Sequence, residues 1–450
     1  MKIELIKLTL YTAAYIMSIT LGEAGYPVPS GLCLISAAVF LYLFDYVRTQ
    51  ETLTLRGLLA LGLLGGEGIA RFQLSHLSTD WTLETWLSFY FFYFIFDLSA
   101  HILEDQRNER KHTQPEEERI ARLKEARFQT SLCDIHYFRC VLFAFLVISW
   151  TAFIFEAWKL GFVPLFTVDT PHAYSYFHVK GIHYFTTLVV LTPSVSMLYL
   201  DARRKRNLRP DVLAILGLML PIILTILLVS RFQFLLAVIL AVFTGLLSGR
   251  HYKLWQLLLL IGMMITAYVF ITIERAHSVE YLNGIFEMKN PATPIFITQP
   301  YMYIANNYDN FNVMTRELTN HSHGLRMLYP FVTLSGLKFF LPSLAEGFPL
   351  FVTKEELTTV TMLYDAWYDF GILGIAGFAI VLGLATGHVA TARRNDQNPF
   401  SILLYAQLAF YYMFSFFTTW FSNPATWFYL GISLTLYAGY RFNVRKRRHE

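Results

Sequence analysis

Runs of about twenty apolar residues, separated by short polar connections, fill most of this chain, and one polar stretch, 274–365, interrupts them late. A membrane-spanning helix needs about 20 mostly apolar residues. The pattern predicts about twelve such helices, near 3–20, 29–46, 54–70, 83–103, 138–158, 182–201, 212–230, 232–248, 254–273, 366–388, 399–420 and 425–441. The third is short and glycine-rich. Little more than Ser230-Arg231 separates the seventh from the eighth. One helix over 212–248 would overrun a bilayer, so a tight hairpin is expected there.

Composition agrees: 55% hydrophobic and 15% charged residues, with a mean hydropathy of +0.43, lie outside the range of soluble domains. The expected fold is an all-α polytopic membrane protein, one integral membrane domain over 1–450. The first apolar run does not read as a cleavable signal, because Gly22-Glu23-Ala24-Gly25 is a poor cleavage site and many spans follow. Cys33, Cys133 and Cys140 show neither metal spacing nor a disulfide framework.

Lysine and arginine set the orientation. One set of alternate connections holds Arg48 and Arg56, then Arg107 to Arg127, Arg203-Arg204-Lys205-Arg206, Arg250, Lys253, Arg393 and Arg394, and the tail Arg445-Lys446-Arg447-Arg448. The other set holds only Arg71, Lys159, Lys180 and Arg231 among its short members. Both termini are therefore expected in the cytoplasm. A cytoplasmic loop occupies 104–137, with a helix start at Thr113-Gln114-Pro115-Glu116. The loops 159–181 and 274–365 face outward. The net charge of +4 follows from this asymmetry, and no nucleic-acid partner is implied.

Nucleotides are scarce outside a cell, so an outward-facing enzyme needs a substrate that carries its own activation. The sequence has no phosphate-binding glycine loop, no His-Glu-x-x-His and no Cys-x-x-Cys, and no cofactor or metal is expected. Cations and imidazoles beside the membrane suit a lipid-borne phosphate or pyrophosphate. Arg231 at the outer end of an apolar pair either snorkels to lipid headgroups or binds such an anion. His172, His178, Lys180 and His183 cluster in and beside the 159–181 loop, as interfacial structure or as substrate contacts; His178 and Lys180 are the candidates there. In the large loop, Tyr303, Asn307 and Tyr308 lie in an aromatic and amide-rich stretch that suits sugar rings and hydroxyls, or an interfacial helix. His321 and His323 are candidate bases and Arg326 a candidate anion contact. Asp369, at the start of the tenth span, is functional by default, or pairs with Arg231, or caps a helix.

Four stretches resemble the Wzy-type oligosaccharide repeat-unit (O-antigen) polymerases of bacteria: Gly161-Phe162-Val163-Pro164-Leu165-Phe166; Ser230-Arg231; Tyr303 to Phe311; and Thr361 to Gly374 with Tyr368-Asp369-Phe370-Gly371. The paired "Arg, ten residues, Gly" motif of some members is not evident, since Val242 stands eleven positions after Arg231. The resemblance implies a GT-C-like glycosyltransferase in the bacterial inner membrane. It would transfer a growing glycan from polyprenyl pyrophosphate to a new lipid-linked repeat unit, independently of metal, with His321, His323 or Asp369 as the candidate base. Membrane lipids, a chain-length regulator and a flippase are the partners it implies. An O-antigen ligase-like enzyme shares topology and donor. A lipid-linked oligosaccharide flippase is the non-enzymatic alternative, expected to show repeated halves and broken helices at mid-membrane; no repeat is evident, and Pro193 and Pro221 are the helix breakers in view.

Overall fold

A computed structural model of the chain describes residues 2–112, 135–167, 173–253, 279–341, 347–395 and 398–446, with Leu344 and scattered positions between 254 and 266. The helix start expected at Thr113, His172 and most of the ninth predicted span lie outside the described residues. The described residues are helical and irregular, with a lone bridge between Ser75 and Met288.

The chain divides into two units. The first joins Met1–Thr113, Val279–Ala392 and Tyr411–Trp427. It holds helices α1 (Lys2–Glu23), α2 (Pro27–Thr49), α3 (Leu55–Leu59), α4 (Gly65–Ala70) and α5 (Leu83–His112). The second joins Gln114–Ser278, Arg393–Phe410 and Phe428–Glu450. It holds α6 (Ile135–Leu160), α7 (Ala173–Tyr176), α8 (His183–Thr187), α9 (Thr192–Lys205), α10 (Val212–Leu227) and α11 (Arg231–Leu247). Back in the first unit come α12 (Val279–Phe286), α13 (Ile295–Glu317), α14 (Leu325–Leu334) and most of α15 (Tyr364–Asn395). Helices α16 (Phe400–Met413) and α17 (Pro424–Lys446) pass between the units' segments.

Six helices among the described residues are long and apolar enough to cross a membrane: Ile3–Glu23, Pro27–Thr49, Leu83–Glu104, Ile135–Leu160, His183–Lys205 and Tyr364–Arg394. Helices α10, α11, α14 and α16 are apolar but shorter. The chain is thus an all-helical, multi-pass membrane protein. Of the other predicted spans, the twelfth (α17) is not among the six, and the third is broken by a π-helical segment, Ala60–Leu64, between α3 and α4. The expected hairpin break is present. Val229 takes a left-handed φ of 53°, and the Ser230 hydroxyl caps α11 by accepting from the Gln233 N–H.

A buried ionic cluster ties the N-terminal helices of the first unit. The Lys7 ammonium, fully buried, lies 2.6 Å from Glu4 and 2.7 Å from Asp97. Arg56 reaches Asp45 and Glu4 at 2.8 Å each, and Arg48 reaches Glu4 at 2.7 Å. Three carboxylates meet three cations from α1, α2, α3 and α5. Charges are tolerated at such depth only when paired in this way.

The amide-rich stretch of the large loop is α13, and it works as a spine. The Asn310 amide donates to the carbonyls of Leu357 and Thr359 at 2.7 and 2.8 Å, and its oxygen accepts from the Thr353 N–H at 2.8 Å. Asn312 accepts from the Thr82 N–H at 2.9 Å and donates to the Asp80 carbonyl at 3.0 Å. Both segments it binds are irregular, so their peptide groups lack helix partners, and the asparagines supply them.

Asp309 completes the spine. One of its oxygens accepts from the Thr79 N–H, the Thr79 hydroxyl and the Trp81 indole at 3.0–3.1 Å. Burial pushes its carboxyl from 3.8 up to about 6, while the Trp81 and Thr79 hydrogen bonds and Arg71 pull the other way. The folded chain therefore holds this proton more tightly than the unfolded chain. The ionised form is a burden of about 3 kcal/mol above pH 6. That burden falls away as pH drops from about 6 to 3.8. The wild-type melting temperature should rise as pH is lowered through this window, relative to Asp309→Asn. The amide oxygen of that variant can keep the three hydrogen bonds without the charge. Parallel pH profiles of the two proteins would refute the assignment.

Candidate active site

A glycine kink builds the site. Helical geometry fails inside α15 at Phe370 (φ −144°, ψ 18°) and Gly371 (φ 58°, ψ −139°). Only glycine takes the second conformation at little cost. The break releases backbone carbonyls from the helix, and the turn before α14 meets them. The Ser322 N–H donates to the Tyr368 carbonyl at 3.1 Å, and the His323 N–H to the Asp369 carbonyl at 3.2 Å. A second glycine lets the kink close: a β-carbon at Gly374 would fall 2.0 Å from the Ala366 carbonyl oxygen.

The latch is reciprocal. Asp369 is fully buried. One of its carboxylate oxygens accepts from the Ser322 hydroxyl at 2.5 Å and the Arg326 N–H at 3.1 Å. The other accepts from the Met327 N–H at 2.9 Å. These N–H groups belong to the first turn of α14, where a carboxylate is favoured. Three donors thus converge on the Asp369 carboxylate. The carboxylate positions the turn that carries the histidines.

His321 and His323 are exposed on that turn. His321 Nδ1 lies 3.2 Å from the Tyr368 carbonyl oxygen. A carbonyl only accepts, so Nδ1 carries a proton, and in the neutral ring Nε2 keeps its lone pair. A β-carbon on residue 371 would lie 3.5 Å from Nε2, so the glycine also keeps space beside the imidazole. His323 holds a left-handed φ of 50°, with its ring 6.3 Å from that of Phe370.

Both histidines and Asp369 line a cleft of about 500 Å³. Its remaining wall is apolar: Phe370, Leu373, Gly374, Gly377, Phe378 and Val381 descend one side of α15, with Met327 and Ala366 behind. Leu373 and Val381 are 77% and 67% exposed, so the cleft opens sideways. It is polar at one end and greasy along its length.

Arg326 is near this cleft but does not line it. Its Nε is paired with the Asp365 carboxylate, and its guanidinium lies 4.4 Å over the Tyr368 ring. Its terminal nitrogens keep their donors free of hydrogen bonds among the described residues. Asn307 and Tyr308 are fully buried. The Asn307 amide donates to the Tyr303 and Phe416 carbonyls and accepts from the Thr359 hydroxyl. The Tyr308 hydroxyl donates to the Leu63 carbonyl at 2.6 Å. The expected glycan contact of these two is corrected accordingly, since their polar atoms are consumed in the frame. Tyr303 is half-buried, with its ring 6.2 Å from that of Phe417.

The second unit holds the remaining candidates. Arg231 is the first residue of α11 and half-buried. His178 and Lys180 are exposed. His178 stacks edge-on to His183, with ring centres 5.1 Å apart. Sequence reasoning passed over Glu156, Tyr174 and Gln233. Glu156 could have been noticed as a lone carboxylate near the end of an apolar run.

No known protein family, curated protein or solved structure matches this chain. Among the described residues no group of three His, Cys, Asp or Glu side chains is placed to hold a metal ion.

Proposed function

We propose that the chain is a polysaccharide polymerase that joins polyprenyl-pyrophosphate-linked oligosaccharide units on the outer face of the bacterial cytoplasmic membrane. The observation that carries this is the two-natured cleft, with two exposed imidazoles at one end and an apolar trough along α15. Such a site suits a substrate whose head is a sugar diphosphate and whose tail is an isoprenoid chain. The orientation expected from Lys and Arg supports the outer placement.

In this reading His321 Nε2 takes the proton of the acceptor sugar hydroxyl as its oxygen attacks the anomeric carbon of the donor glycan. The bond from that carbon to the diphosphate breaks, its electron pair leaves with the diphosphate oxygen, and His323 stands beside the departing group. Asp369 holds both histidines in register. The tail lies against Leu373, Gly377 and Val381. A transporter would leave its unwound carbonyls open to a coupling ion; here the N–H groups of Ser322 and His323 occupy those of Tyr368 and Asp369.

The test is deletion of the chain's gene, with surface glycan resolved on a gel. A polymerase deletion leaves single repeat units on the surface acceptor. Long chains stranded on the carrier lipid would instead point to a ligase, and an unchanged ladder would reject both.

A further inference from the structure

The second unit contains a polar cluster that the cleft does not use. Glu156 on α6 is fully buried. It accepts from the Val179 N–H at 2.9 Å and the Thr186 hydroxyl at 2.6 Å. Its oxygens also lie 3.2 and 3.3 Å from His183 Nδ1. A carboxylate only accepts, so Nδ1 carries a proton, and in the neutral ring Nε2 presents a lone pair. The His183 side chain is 15% exposed, and Nε2 has no hydrogen bond among the described residues.

A second acceptor belongs to the same cluster. The Tyr174 ring lies 6.2 Å from the His183 ring. The Tyr174 hydroxyl accepts from the Gln233 amide nitrogen at 2.9 Å. Gln233 is only 7% exposed, and its amide oxygen is buried without a hydrogen-bond partner among the described residues. A buried acceptor left unmet is costly, and native structures rarely leave one without a reason. Two oriented acceptors, His183 Nε2 and Gln233 Oε1, thus share a cluster with an aromatic ring between them. The matching ligand is neutral and rich in donors, which is the chemistry of sugar hydroxyls. A bare phosphate or diphosphate lacks the donors these two atoms need.

We propose that the second unit carries a carbohydrate subsite in which His183 Nε2 and Gln233 Oε1 accept hydrogen bonds from sugar hydroxyls. Glu156 is the positioning residue that fixes the imidazole, and His178 borders it. The choice of sugar as probe rests on the polymerase reading; the acceptor geometry does not.

The experiment uses the full-length protein in nanodiscs. The probe is the oligosaccharide released by mild acid from the host's own lipid-linked repeat units, and binding is followed by calorimetry. Wild type should bind it, and His183→Phe and Gln233→Leu should each weaken binding about ten-fold or more. Glu156→Gln should weaken it less, and the double variant Glu156→Gln/His183→Phe no more than His183→Phe alone. Melting temperatures near wild type confirm that the variants are folded, and His183→Phe stands as the readout if Gln233→Leu does not accumulate. Equal binding by wild type and both single variants overturns the proposal, as does failure of the wild type to bind. Failure of the polymerase reading looks different: the gene deletion would leave glycan length unchanged while the variants still lost binding.

Discussion

Replacing His321 with alanine is expected to halt chain extension, leaving single repeat units where wild type gives a ladder of long glycans. The side chain is exposed, so truncating it should change stability by no more than about 0.5 kcal/mol. Its chemistry is another matter. The Tyr368 carbonyl fixes the Nδ1 proton, and Nε2 lies beside a glycine that keeps the space open. Loss of a positioned general base typically costs about 10²–10⁴-fold in rate. The companion His323→Ala should shorten the glycan as well, since its ring borders the same cleft. Full-length polymer from both variants, at wild-type abundance, would remove the histidines from the mechanism.

A second large effect is expected from Lys7→Met, this time on stability. The substitution keeps length and apolar character but takes the ammonium away from Glu4 and Asp97, which lie 2.6 and 2.7 Å from it. Asp97 would then be a fully buried carboxylate that keeps Arg56 at 3.4 Å. Removing one partner from a buried pair costs about 3–5 kcal/mol, whereas replacing the whole pair with apolar groups is often neutral. Lys7→Met should therefore melt well below wild type in detergent, and Lys7→Met/Asp97→Leu should recover much of the loss. A single variant that melts like wild type would mean that the cluster contributes little.

Local features of the fold were legible because their causes are local. Apolar runs announced α1, α2, α5 and α6, and Ser230 marked the start of α11. Asp369 was expected at the start of a span, but α15 begins at Tyr364 and kinks at Phe370 and Gly371, and the left-handed backbone at Gly371 has no signature in the sequence. What escaped depends on partners far apart in the chain. Asn307 suited a sugar ligand or an interfacial helix on sequence, but the Phe416 carbonyl and Thr359 hydroxyl that bind its amide are far away in the chain. The cleft escaped for the same reason, since His321 and Asp369 meet only because a kink frees the right carbonyls. Glu156 and His183 lie on different helices, and periodicity within one helix cannot report a pairing between two.

The Lys7 cluster also bears on how the protein is made. Glu4 leaves the ribosome on the same helix as Lys7, and Asp45 follows soon after, whereas Asp97 is separated from Lys7 by 90 positions. Until α5 has been synthesised, the lysine has two of its three carboxylates, Glu4 at 2.6 Å and Asp45 at 3.6 Å, and Arg56 shares both of them. Co-translational insertion of the first helices therefore produces an electrostatically unfinished intermediate, and the arrival of α5 completes it.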